Sequence, residues 1–136
     1  MINNIPVYQF IGYRLLKANF NRIQEGNIDY ITIRNIQSEL KNENTFILIV
    51  EILIKYENNE SSTFVFDSCF KINDIKWFNE LDGNLVNNLF ISVIFPYIRQ
   101  KIYEVTNDSR GGLQIPIVDL RNIDLTKGLK LIAQHN

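Results

Sequence analysis

The sequence has little of what metal and covalent chemistry need. Among 136 residues there is one cysteine, Cys69, and one histidine, His135. That excludes an intramolecular disulfide framework, a CxxC pair and a zinc site built from His and Cys. A Ser–His or Cys–His dyad would have to take its base from the penultimate residue, where chains fray. Neither Walker A nor GxGxxG occurs. No charge of one sign dominates: 14 Lys and Arg stand against 15 Asp and Glu, for a net charge of −1. The basic footprint of a nucleic-acid binder and the Lys/Arg run of an anionic-membrane binder are both missing. The longest strongly apolar run, Phe46 to Val50, is far short of the roughly 20 residues that span a bilayer. No signal-peptide pattern opens the chain, so a cytoplasmic protein is expected, and a lone thiol suits a reducing compartment. At roughly 150 residues per domain, residues 1–136 are expected to form one domain.

What the chain has in excess is isoleucine, 22 residues, and asparagine, 18. The isoleucines fall into segments with a strand period. Val7 to Ile23 carries a long, partly broken alternation through Tyr8, Phe10, Tyr13, Leu15 and Phe20. Tyr30 to Ile36 alternates strictly, with Ile31, Ile33 and Asn35 on one face and Tyr30, Thr32, Arg34 and Ile36 on the other. Thr45 to Tyr56 is β-branched, with only Glu51 and Lys55 interrupting, as a central strand would be. Glu57 to Ser61 is a turn without Gly or Pro, and Thr63 to Asn73 returns as its hairpin partner.

The period then changes. After Asp82-Gly83-Asn84, a turn and helix start, apolar residues recur at helical spacing to Asp108. Leu85, Leu89, Val93 and Tyr97 form one stripe, and Val86, Phe90, Ile94, Ile98, Ile102 and Val105 form its neighbours. A helix with one core-facing side needs a stripe only about 100° wide. This one is wider, which predicts packing on the sheet and on something else. Pro96 predicts a kink or break, and Arg110-Gly111-Gly112 a helix stop. Leu113 to Val118 is an extended apolar stretch that Pro116 keeps out of a regular central strand. A short helix, about Leu125 to Gln134 with Asp124 placed as its N-cap, closes the chain. The expected class is α+β: a four-stranded antiparallel sheet packed against a long helix and a short C-terminal helix. Asp67 and Cys69 share a strand face but have no motif around them to mark a catalytic site.

The second half resembles the protein-export chaperone SecB. Phe95-Pro96-Tyr97-Ile98-Arg99 is similar to the FPYAR signature of the SecB long helix. Arg110-Gly111 is similar to the Arg-Gly that ends that helix, and Asn122-Ile123-Asp124 to the Asn-Phe-Asp before its last helix. The order of four strands, helix, strap and helix agrees, from about Val7 to Gln134. The resemblance implies an ATP-independent holdase: a homotetramer, a dimer of dimers, that wraps unfolded polypeptide in apolar grooves without a cofactor. It implies client contacts at Ile31 and Ile33 and along the strap at Leu113, Ile115, Ile117 and Leu120. It also gives the wide helical stripe, Leu89, Val93, Phe95, Tyr97, Ile98 and Ile102, a role between subunits.

The positions that would face the translocase motor SecA depart from the family pattern. Lys17 and Asn21 stand where acids would be, and only the Val65–Asp67 pair is kept. The acidic tail-like extension is absent as well. Chaperone activity is thus better supported than handover to SecA. Two other readings stand beside it. One is a dedicated adaptor on the same fold for a single partner, such as an unstable antitoxin or a phage protein. The other is a small α+β ligand-binding domain or enzyme, for which Asp67 is the only polar seed.

Overall fold

The computed structural model describes residues 4–20, 28–108, 111–116 and 129–132. Four long strands, β1 (Tyr8–Asn19), β2 (Ile28–Lys41), β3 (Thr45–Tyr56) and β4 (Ser61–Ile72), are followed by helices α1 (Ile75–Glu80) and α2 (Gly83–Thr106) and a short strand β5 (Leu129–Ile132). The sheet order is β1-β4-β3-β2-β5, with every pairing antiparallel. The α+β class and the four-stranded antiparallel sheet read from the sequence are both present. Of the span read as a C-terminal helix, residues 129–132 instead pair with β2 as a fifth strand, Tyr30 opposite Ile132 and Ile33 opposite Leu129, and the rest lies outside the described residues. The open edge of β2 supplies unpaired backbone groups, and pairing there satisfies them better than four residues of helix could. Asp124 lies outside the described residues.

Strict alternation puts one face of β3 and β4 wholly in the core. Phe46, Leu48, Val50, Ile52, Ile54 and Tyr56 alternate with half-buried neighbours, as do Phe64, Phe66, Phe70 and Ile72 in β4. Helix α2 covers that face with Phe90, Ile91, Ile94, Phe95, Ile98 and Ile102, all buried. Each such side chain contributes about 1.5–3 kcal/mol by leaving water. Phe90 is the centre: its ring lies 4.5 Å from Phe70, 4.7 Å from Phe46 and 5.2 Å from Tyr8, centroid to centroid. The helix runs without a break through Pro96, which is exposed.

Two departures from simple alternation have local causes. β1 carries register shifts at Ile11 and at Leu16, and the extra residues turn both side chains into water, at 61% and 48% exposure. In β2 one shift falls at Asp29 and the other at Asn35–Ile36, where Asn35 takes a left-handed φ of 52°. Ile36 therefore packs against the core instead of sharing the face of Thr32 and Arg34. Asparagine also replaces glycine in the hairpins, with Asn42 at φ 52° and Asn59 at φ 70°. Helix α1 has no counterpart in the sequence reading; Asp74 caps it by accepting from the Trp77 amide at 3.0 Å.

One polar pair sits inside the core. The Tyr56 hydroxyl and Ser62 Oγ are 3.1 Å apart, both residues buried. Tyr56→Phe is expected to cost about 1–3 kcal/mol in denaturant titration, because Ser62 is left without its partner. Tyr56→Phe with Ser62→Ala should return within about 1 kcal/mol of the parent. Burial also pushes the Tyr56 phenol above its ordinary value of 10.0. The neutral form is the one the fold prefers, so its contribution is complete below pH 10 and is lost as pH rises through the folded value. Above pH 10, stability should fall less steeply in the Phe variant than in the parent.

Candidate functional site

The strap that follows α2 is held by three contacts. Thr106 Oγ1 donates to the Ile102 carbonyl at 2.6 Å and accepts from the Leu113 amide at 2.9 Å, tying the strap to the last turn of the helix. At Gly112 the chain passes so close to Tyr103 that a Cβ would lie 2.4 Å from the Tyr103 carbonyl oxygen. Further along, Arg99 Nε donates to the Ile115 carbonyl at 2.7 Å. Ile115 is thereby seated in the core at 2% exposure, with Leu113 half-buried beside it. The turn into the strap uses Gly111 at φ 93°, bridged to Asp108.

The client positions implied by the resemblance fall into two sets. Ile31 and Ile33 are fully buried on the helix-covered face, and with Ile115 they belong to the hydrophobic core. Ile117 and Leu120 lie outside the described residues. The helical stripe also divides: Phe95, Ile98 and Ile102 point into the sheet, Leu89 and Val93 are half-buried, and Tyr97 is 44% exposed. Tyr97 leans on β1, its ring 5.1 Å from Phe10 and 5.5 Å from Tyr13. With Leu85 at 51% exposure and Tyr103 also exposed, α2 keeps apolar side chains in water away from the sheet, and Val105 is exposed at its last turn.

The opposite face of the sheet has a different character. There β1 to β4 place Lys17 beside Val65 and Arg14 beside Asp67, while Arg34 on β2 faces Glu51 on β3. Lys17, Val65 and Asp67 are thus brought onto one face; Asn21 lies outside the described residues. Arg14 grips Asp67 with two bonds, Nε at 3.1 Å and Nη2 at 2.5 Å. The pair holds the Arg14 guanidinium above its ordinary pKa, first through that hydrogen bond and then through charge attraction. Arg34 Nε and Asn35 Nδ2 both donate to the same Glu51 oxygen, at 2.7 and 2.6 Å. Among the described residues, no three His, Cys, Asp or Glu side chains gather as metal ligands. No described helix is long and apolar enough to cross a membrane.

No family model and no curated protein matches the sequence. Solved structures do match the backbone. The SecB-like chaperone Rv1957 of Mycobacterium tuberculosis, in complex with a ChAD peptide from the Rv1956 HigA1 antitoxin, overlays with a TM-score of 0.59 at 16% identity. The match covers 82% of this chain and 87% of that one. The fold is SecB-like. A protein of unknown function from Streptococcus agalactiae also overlays, with a TM-score of 0.41 and 14% identity, over 81% of this chain and 97% of that one.

Within the SecB-like fold, the sequence reading missed Arg99 and Thr106 as the residues that fasten the strap. The signal was there in outline: an arginine and a threonine seven residues apart on one helix face, followed by Gly111-Gly112 and an extended apolar run. Gly112→Ala is expected to dislodge the strap and Arg99→Gln to loosen it. Protease cutting within residues 111–116 should rise about tenfold or more in Arg99→Gln, the effect of losing one charge-assisted hydrogen bond. Unchanged cutting in both variants would show that the strap is held by other means.

Proposed function

We propose that this chain is an ATP-independent holdase that binds unfolded or non-native polypeptide, acting as one domain and as a homotetramer. The observation that carries the reading is the apolar surface left on α2 of a SecB-like fold, next to a strap held by few bonds. Client segments are apolar and extended, like the strap. They take the place of its side chains, Ile115 among them, over Ile31 and Ile33 when it lifts, and follow it along Leu113, Ile117 and Leu120. Three client side chains at about 1.5–3 kcal/mol each, less the cost of ordering the client, give weak binding per segment, so useful affinity comes from several segments engaged at once. Binding of that kind is reversible and broad in sequence. The outer helical stripe, Leu89, Val93 and Tyr97 in particular, packs between subunits. The protein works in the cytoplasm, forms and breaks no covalent bond, and needs no cofactor.

A dedicated adaptor is the second reading, favoured by one comparison: the SecB-like neighbour from M. tuberculosis was solved with an antitoxin peptide. On that reading the same surface holds one unstable partner, an antitoxin for instance. Handover to SecA has less support, because the one acid kept at the motor-facing positions, Asp67, is neutralised by Arg14.

Aggregation of a chemically denatured, slow-folding protein should be suppressed by the chain at stoichiometric amounts with nucleotide absent. No suppression would sink the holdase. Co-purification of one stoichiometric partner, in place of many unfolded ones, would favour the adaptor. Light scattering should give four times 16.0 kDa. A monomer at micromolar concentration would remove the subunit role of the helical stripe.

A further inference from the structure

We propose that the sheet face turned away from α2 docks an amphipathic helix of a protein partner, one with an apolar stripe bordered on both sides by acidic residues. The register lays this face out row by row. Along its middle run Cys69, Ile47, Ile49, Val65 and Leu53, side chains that keep part of their surface in water. Cations stand along both sides of that strip: Arg14 and Lys17 on β1, Arg34 and Lys41 on β2. Lys71 and Lys55 stand toward its two ends.

The acids on the face do not cancel this charge outwardly. Asp67 and Glu51 lie beneath their arginines, their side chains only 13% and 18% exposed, while Arg14 is 74% and Arg34 42% exposed. Two carboxylates of β2 are exposed, Glu39 on this face and Asp29 at the bulge between Ile28 and Tyr30. A chain with a net charge of −1 therefore presents one surface on which exposed cations (Arg14, Lys17, Arg34, Lys41 and Lys71) outnumber exposed acids. Arg14 spends Nε and Nη2 on Asp67, which leaves Nη1 free in geometry to meet a second carboxylate.

Width selects the occupant. In the order β1-β4-β3-β2 the two cationic edges are three strand spacings apart, about 14 Å. An α-helix with its side chains is about 10–12 Å across, so one helix fills the track and its flanks reach both edges. A polyanion such as duplex nucleic acid would match the charge but leave the apolar strip uncovered. This surface lies across the sheet from the strap, and the proposal does not depend on client binding.

The test is fluorescence anisotropy of the full chain with a labelled 18-residue amphipathic peptide carrying a Leu stripe flanked by Glu, and with the same peptide carrying Lys in place of Glu. The Glu peptide should bind, and Lys17→Glu with Lys41→Glu, one change on each edge, should weaken it by about tenfold or more. Raising salt should weaken it as well. Methyl NMR should place the contact at Ile47, Ile49 and Val65 and leave Ile94 and Ile98, under α2, unmoved. Any of four results would overturn the proposal: no binding of the Glu peptide, equal binding of the Lys peptide, indifference to the charge reversals, or displacement of the peptide by duplex RNA. Loss of peptide binding with aggregation suppression intact would count against this surface alone; the reverse would count against the holdase alone.

Discussion

The structure depends on one contact: a 24-residue helix laid over one face of an antiparallel sheet and sealed by aromatic rings. Phe90 from the helix, Phe46 and Phe70 from the two central strands and Tyr8 from the edge meet within 6.0 Å of one another in most pairings. Without that seal, β3 and β4 would expose continuous rows of Phe and Ile, and α2 would have no reason to be helical beyond its modest propensity. The strap depends on it in turn. Arg99 and Thr106 can hold residues 113–115 only because the helix beneath them is fixed.

That seal covers one side of the sheet and one side of the helix, and the two uncovered sides differ chemically. On α2, Leu85, Tyr97 and Tyr103 keep apolar surface in water, with Gln100 and Glu104 exposed among them. The outer face of the sheet is an apolar strip edged with lysine and arginine whose acids lie underneath. A domain with nearly balanced charge can thus carry a strongly biased face, because ion pairs stack one charge above the other when an acid on one strand meets an arginine on the next.

Asparagine explains part of the odd composition. Asn35, Asn42 and Asn59 take left-handed backbone that glycine usually supplies, at a bulge and in two hairpin turns. Where no side chain at all fits, against Tyr103, the chain does use glycine, at Gly112. Among the described glycines, Gly111 serves a positive φ and Gly112 a close approach.

Period and composition by themselves determined the central elements. Thr45 to Tyr56 was legible to the residue, and the start and end of α2 to within two. The FPYIR resemblance led to the SecB-like fold on which the backbone comparison agrees. Local pattern could not announce the fifth strand, because Leu129–Ile132 suits a helix by its own residues and becomes a strand only where β2 offers an open edge. It could not place Ile36, whose face is decided by the backbone of Asn35, nor show that Ile31, Ile33 and Ile115 are buried while Tyr97 is not. Nor could it pair Arg14 with Asp67 across 53 residues. Periodicity states which residues share a face; which face meets another element, and which charge ends up on top, follows only when distant segments are brought together.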